Sequence, residues 1–293
     1  MPQFHTPILF LVFNRLETTK QVFERIRDIK PLFLFVAADG PRLNNVEDEQ
    51  KCQSVREFIL EGVDWNCQLK TLFRDENRGC GRGPSAAIDW FFEQVEEGII
   101  LEDDCLPTLG FFNYCEELLN KYESEEKIYH ISGCNIQYGL KNTNDKYFFS
   151  QIPHMWGWAT WKRAWNKYNF DALQNFSTDN LDDYWISVFG SVLKGTADIW
   201  DYQWVYTIKK GKGISITPTI SLIENIGFDQ AATHTTNAPG WYFFDQRSTK
   251  KLVKTPNVIS INKRADQLTM QLLKGNLSFK NKVRIKLDKL FRI

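Results

Sequence analysis

The sequence predicts an α/β fold built on a mostly parallel, Rossmann-like sheet flanked by helices. Three observations predict it. Short apolar runs suited to strands buried on both faces alternate with segments of helical periodicity. These runs end in polar residues. One of them, Ile99-Ile-Leu101, stops on three consecutive carboxylates, Glu102, Asp103 and Asp104. Sheets of this kind bind ligands beyond the carboxyl ends of their strands, so the polar ends mark where a site belongs.

Taken in order, Ile8 to Phe13 is a continuous apolar run ending at Asn14-Arg15. A helix follows, with capping-box spacing at Thr18 and Gln21 and apolar positions at Val22, Phe23, Ile26 and Ile29, stopped by Lys30-Pro31. Leu32 to Ala38 is the second strand, ending in Asp39-Gly40. Val55, Phe58 and Ile59 mark a second helix, and Leu69 to Phe73 a third strand. Pro84 suits the first turn of a helix carrying Ala87, Ile88, Phe91, Phe92 and Val95. The fourth strand delivers the acidic triplet, and another helix begins near Thr108. Beyond residue 125 the alternation gives way to short strands (Tyr129 to Ser132, Tyr147 to Ser150), a Trp-rich segment, and helical patterns near 181 to 194 and 198 to 210. Near the end, Phe279, Val283, Leu287, Leu290 and Phe291 share one helical face, with Lys280, Lys282, Arg284, Lys286, Lys289 and Arg292 around the rest.

At 293 residues the chain can bury a substantial core. Lys+Arg and Asp+Glu balance at 36 each, so no global field draws it to nucleic acid. The six cysteines form no C-x-x-C pair and the start, Met-Pro-Gln-Phe-His, lacks a basic, apolar leader. Both features lead us to expect a reduced cytoplasmic protein. No apolar run approaches the roughly 20 residues that cross a bilayer. The basic amphipathic pattern of 279–293 suits a peripheral contact at the inner face of a bacterial membrane, or a helix packed on the protein.

Several segments can carry chemistry. Three like charges at a strand end repel unless a cation lies among them, and a hard divalent ion holding a phosphate is the usual answer; an acidic helix start is the plainer alternative. In Gly79-Cys-Gly-Arg-Gly83, glycines allow backbone to approach a diphosphate while Arg78 or Arg82 supplies charge, although an ordinary strand-to-helix loop reads the same way. Trp156-Gly157-Trp158 suits an aromatic edge for the apolar face of a sugar, whereas Trp161 and Trp165 suit the core. Asp201 lies among aromatics in Trp200-Asp-Tyr-Gln-Trp204, where desolvation favours a general base; a surface acid is the alternative. His234, one of only 4 histidines, occupies a polar loop and can complete a manganese-like coordination.

In order and context, Ala38-Asp-Gly-Pro41, Leu101-Glu-Asp-Asp-Cys-Leu-Pro107 with Phe111-Phe112, Trp156-Gly-Trp158 and Trp200-Asp201 resemble nucleotide-sugar glycosyltransferases of the GT-A type over roughly residues 5 to 240. The resemblance extends to the N-acetylglucosaminyltransferase of N-glycan branching and to related bacterial sugar transferases. It implies a GT-A (nucleotide-diphospho-sugar transferase) fold with a DXD-type motif at the triplet. By that resemblance Asp104 is the ligand of Mn2+ or Mg2+, Glu102 or Asp103 contacts the ribose, Asp39 the base, and Asn14-Arg15 lie near the nucleotide. Asp201 is the catalytic base, although the family's Trp-Asp-Asp-Trp segment is one residue longer here. His234 matches a metal or diphosphate ligand of many GT-A enzymes, though not of the N-glycan enzyme.

The expected function is therefore an inverting, metal-dependent glycosyltransferase moving a sugar, with GlcNAc one candidate, from a UDP-sugar to a saccharide or lipid-linked saccharide used in polysaccharide biosynthesis. Residues 1–125 are the nucleotide-sugar-binding half of one domain. Residues 126–245 are the acceptor-binding and catalytic half, and 246–293 a C-terminal extension. Asp198 and Asp229 are the next candidates for the base. The rivals are a sugar-phosphate nucleotidyltransferase, for which the first strand lacks a Gly-rich, Lys-bearing loop, and a non-catalytic saccharide-binding module, which leaves the triplet unexplained.

Overall fold

A computed structural model describes residues 3–137, 140, 143–179, 181–195, 198–228 and 254–291. The first four strands are β1 (Ile8–Val12), β2 (Phe33–Ala38), β3 (Gln68–Phe73) and β4 (Glu97–Glu102). They alternate with α1 (Leu16–Ile29), α2 (Val46–Gly62) and α3 (Gly79–Phe92). All four strands run parallel in the order β3-β2-β1-β4, so their carboxyl ends open on one side. After them come β5 (Cys105–Pro107), α4 (Leu109–Lys121), β6 (Ile128–Ser132), β7 (Tyr147–Ser150), β8 (Trp158–Trp161) and α5 (Lys162–Trp165). The described chain continues through α6 (Asp183–Leu193), α7 (Asp201–Lys210), β9 (Ile214–Pro218), β10 (Ile223–Asn225), α8 (Lys263–Leu273) and α9 (Phe279–Phe291). Strands β8, β6, β9 and β7 extend the same sheet beyond β4, with β8 antiparallel to both its neighbours. The result is a large mixed sheet with helices on both faces, an α/β architecture.

The alternation of side chains along β1 shows why both faces are covered. Ile8, Phe10 and Val12 join a core under α1, α2 and α4, built with Phe23, Ile26, Val55, Phe111 and Phe112. Leu9 and Leu11 point the other way and meet Ala87, Ile88 and Phe91 of α3 and Trp204 and Ile208 of α7. Both faces are therefore apolar, and a continuous apolar run results.

Helix starts differ from the sequence expectation in two places. Thr18 is not an N-cap: α1 begins at Leu16, and the hydroxyls of Thr18 and Thr19 donate to the Arg15 carbonyl at 3.2 and 2.7 Å. Helix α3 begins at Gly79, five residues before Pro84, which lies inside the helix. The glycines are thus the first turn of the helix itself. Towards the end, α8 is hydrogen-bonded to the segments around β6 and β7. Gln137 Nε2 donates to the Ala265 carbonyl and to Thr269 Oγ1, both at 2.9 Å, and Ser150 Oγ donates to Asp266 at 2.6 Å. In α9, Phe279 is exposed and Ile285 buried. All six cysteines are free, and no helix among the described residues is long and apolar enough to cross a membrane.

A buried polar relay fixes α7 to the sheet. Trp204 Nε1, which can only donate, gives its hydrogen to His130 Nδ1 at 3.2 Å, so Nε2 carries the ring proton and donates to the His154 carbonyl at 3.1 Å. The His130 ring also stacks on Trp158, with centroids 5.0 Å apart. Burial pulls the His130 pKa from 6.5 down to about 3 and that of His154 to about 4. For groups whose folded pKa is depressed, stability is complete above the unfolded value of 6.5 and is lost as pH falls towards these lower values, because the unfolded chain takes up the protons. His130→Asn is accordingly expected to flatten the fall in melting temperature between pH 7 and pH 4 while lowering stability at pH 7. An unchanged pH slope would contradict this assignment.

Candidate active site

A cleft of about 580 Å³ lies beyond the carboxyl ends of β1, β2, β3 and β4. Its lining includes Asn14 and Arg15 after β1, Asp39 after β2, the acidic triplet at β4, and Trp200, Asp201 and Tyr202 at the start of α7. Volumes of several hundred cubic ångströms suit small-molecule ligands. The topology explains the convergence, since parallel strands discharge their loops on a common edge.

The floor is acidic, with one guanidinium set into it. Arg15 Nη2 donates to Asp104 Oδ2 at 2.9 Å and also to Asp103 Oδ1. Burial lowers the Arg15 pKa, but the two carboxylates outweigh it and the net shift is upward. Burial, reinforced by Asp104, Asp201 and Asp103, pushes Glu102 up to about 8. Asp103 is raised by burial to about 6 in spite of Arg15. The floor thus gathers three carboxyl groups around one arginine, and burial favours the protonated form of two of them. Asp104 is also held from behind. Strands β5 and β10 pair antiparallel, Ile226 N donates to the Asp104 carbonyl at 2.9 Å, and a Cβ on Gly227 would collide with the Asp104 side chain.

The glycine turn works differently from the sequence expectation. Three N–H groups here are already taken by side chains: Arg78 N donates to both Asp39 oxygens (3.0 and 2.9 Å), Gly79 N to Asn77 Oδ1 (3.1 Å) and Gly81 N to Asp198 Oδ1 (3.1 Å). Gly79 lines the cleft, while Arg78 and Arg82 are absent from its lining. Arg82 instead lies over the Phe170 ring at 4.3 Å and 3.6 Å from Asp171. Among the described residues, the cationic side chains lining the cleft besides Arg15 are Arg74, at the polar end of β3 where the sequence places ligand-facing residues, and Arg42, which the sequence does not single out. Arg42 pairs with buried Asp48 (Nη2 to Oδ1, 2.9 Å), which also accepts from Asn14 Nδ2 at 2.7 Å. These partners, the Arg42 bond first, hold the Asp48 pKa down to about 2. Asp48 thereby ties the ends of β1 and β2 together. The only signal for it was an acidic first turn after Asn45, the ordinary pattern of a helix start.

The Trp segment also needs correction. Trp156 is partly exposed and lines the cleft, edge-on to Phe228 at 5.7 Å. Trp158 is 1% exposed: it opens β8 and stacks between His130 and Trp200, so it cannot present a face to a sugar. Gly157 is buried at φ +57°, where a Cβ would press on Ile223; it turns the chain into β8 rather than contacting an acceptor. His234 and Asp229 lie outside the described residues.

Among the described residues no three His, Cys, Asp or Glu side chains are grouped to enclose a metal by themselves. A hard divalent cation that arrives with a diphosphate needs only one or two carboxylates, the rest of its shell being phosphate oxygens and water. The donor set fits that case. Asp104 lines the cleft, and Asp103 Oδ2 is buried without a hydrogen-bond partner among the described residues.

No protein-family model matches the chain, and neither does any curated protein. Among solved structures it is similar to the mannosyltransferase PcManGT from Pyrobaculum calidifontis in complex with GDP-Man and Mn2+, at 15% identity and a TM-score of 0.36 over 61% of this chain and 49% of that one. It is similar to residues 1–349 of TarS from S. aureus at 10% identity and a TM-score of 0.42, over 74% of this chain and 59% of that one. It is also similar to the inositol-1-phosphate CTP transferase from T. maritima at 8% identity and a TM-score of 0.41, over 73% of this chain and 85% of that one. The chain thus spans about half of the mannosyltransferase and less than two thirds of the TarS fragment.

Proposed function

We propose that the chain is an inverting glycosyltransferase of the GT-A type that uses a UDP-sugar and a divalent cation, Mn2+ or Mg2+. The observation that carries this reading is the acidic triplet at the end of β4, which lines one cleft together with Asp201 at the carboxyl edge of a parallel sheet. Asp39, fixed by the Arg78 N–H, is suited to the base, and Glu102 or Asp103 to the ribose. Asp104 would hold the cation, which when bound offsets the charge of the diphosphate leaving group. Asp201 takes the proton from the acceptor hydroxyl. That oxygen attacks the anomeric carbon as the bond to the diphosphate oxygen breaks, and the configuration inverts. Trp156 borders the space left for the acceptor sugar. A nucleotidyltransferase would need a glycine-rich triphosphate loop after β1, where Asn14-Arg15 leads straight into α1.

An acceptor at a membrane surface belongs to the same proposal. Exposed Phe279 sits beside Lys280, Lys282 and Arg284 on α9, although Ile285 shows that part of this helix packs inward. The test is a panel of UDP-, GDP- and CDP-sugars, measuring binding and slow hydrolysis with Mn2+ and with chelator, and repeated with anionic liposomes at low salt. UDP release that requires metal is expected. Metal-independent binding, or turnover of nucleoside triphosphates with sugar phosphates, would reject the reading.

A further inference from the structure

Arg15 occupies the position in the acidic floor where a cation is wanted. A single nitrogen, Nη2, serves both Asp103 and Asp104, and the side chain is only 20% exposed. Its backbone is fixed, since the Arg15 carbonyl accepts the Thr18 and Thr19 hydroxyls and the Thr19 N–H at 3.0 Å. Both Asp104 oxygens are engaged. Oδ2 receives Arg15, and Oδ1 receives the Cys105 thiol at 3.5 Å, while Gly227 walls the carboxylate from behind. A divalent ion approaching Asp104 alone must therefore break a charge-assisted hydrogen bond that is shielded from water.

We propose that Arg15 is a resident counter-cation that must give up Asp104 before a divalent metal can bind, so that the metal is taken up together with a nucleoside diphosphate and not before it. This rests on the metal-dependent reading above. The charges favour joint entry. The diphosphate oxygens offer the displaced guanidinium new partners and complete the metal's shell, whereas metal alone leaves two cations competing for one carboxylate, and diphosphate alone meets an acidic floor. Because linkage is reciprocal, the nucleotide raises metal affinity by the factor by which metal raises nucleotide affinity.

The test is metal binding, not turnover: Mn2+ titrated into the full chain, with and without UDP, followed by calorimetry and by the electron paramagnetic resonance signal of free Mn2+. Arg15→Gln is expected to bind Mn2+ alone about tenfold tighter than wild type, the loss of one charge-assisted bond, and the gain in Mn2+ affinity on adding UDP should shrink accordingly. Equal Mn2+ affinity in Arg15→Gln and wild type would overturn the proposal. Should Arg15→Gln fail to fold, as judged by its melting curve, Arg15→Lys decides, because a shorter side chain spans the two carboxylates less well. An increase of about threefold is then expected, and no increase overturns the idea. If UDP brings no Mn2+ into any of these proteins, the metal-dependent reading itself fails. If UDP recruits Mn2+ to wild type while Arg15→Gln gains nothing, only the counter-cation role fails.

Discussion

Asp201→Asn is expected to reduce turnover by about two to four orders of magnitude while leaving UDP-sugar binding nearly intact. Asp201 is the first residue of α7 and lines the cleft between Trp200 and Tyr202. Its negative charge is felt at Glu102, as expected of a carboxylate lining the same cleft as the acidic floor. Asparagine keeps the size of the side chain and removes its capacity to accept a proton from an attacking hydroxyl. The measurement separates the two effects, with UDP release in the presence of acceptor for chemistry and calorimetric titration of donor for binding. Wild-type turnover would move the base elsewhere. Asp198 is poorly placed to replace it, since one of its oxygens already caps the Gly81 N–H.

The second large effect is expected at Asp104. Asp104→Asn should weaken metal-dependent UDP binding by about two orders of magnitude or more, because a neutral amide is a poor ligand for a hard cation. The fold should survive. The contact that locks this residue to β10 is its backbone carbonyl accepting the Ile226 N–H, which the substitution leaves in place. Titrating UDP with Mn2+ and again with chelator reads the effect directly, since only the metal-dependent part of the affinity should disappear. An unchanged difference between the two titrations would remove Asp104 from the metal site.

The parallel half was legible because its physics is local. Ile8 to Phe13 and Ile99 to Leu101 are apolar on both faces, and strands of that kind must be central. The polar residues that stop them, Asn14-Arg15, Asp39 and Glu102-Asp103-Asp104, all reach the cleft. What escaped reading depends on long-range partners. Arg15 meets Asp104 across 89 positions, and Asp198 caps α3 across 117. The glycine turn looked open to phosphate because nothing in its own sequence says that Asp39 and Asp198 fill it. Trp158 misled for a related reason. A four-residue strand with tryptophan at each end has too few positions to show a period of two, and Gly157 before it suggested a loop.

The short pairing of β5 with β10 reaches beyond the site. It joins the residue after Asp104 to Asn225, and β8 is inserted beside β4 from the other half of the chain. The acidic floor is thus closed by segments that emerge from the ribosome long after it. Contacts of such sequence separation form late, because the intervening loop must first be closed. A nascent chain ending near residue 125 can pair β1 to β4 but has neither the strand that backs Asp104 nor the helix that carries Asp201, so ligand binding and catalysis should both appear only once synthesis has passed Gly227.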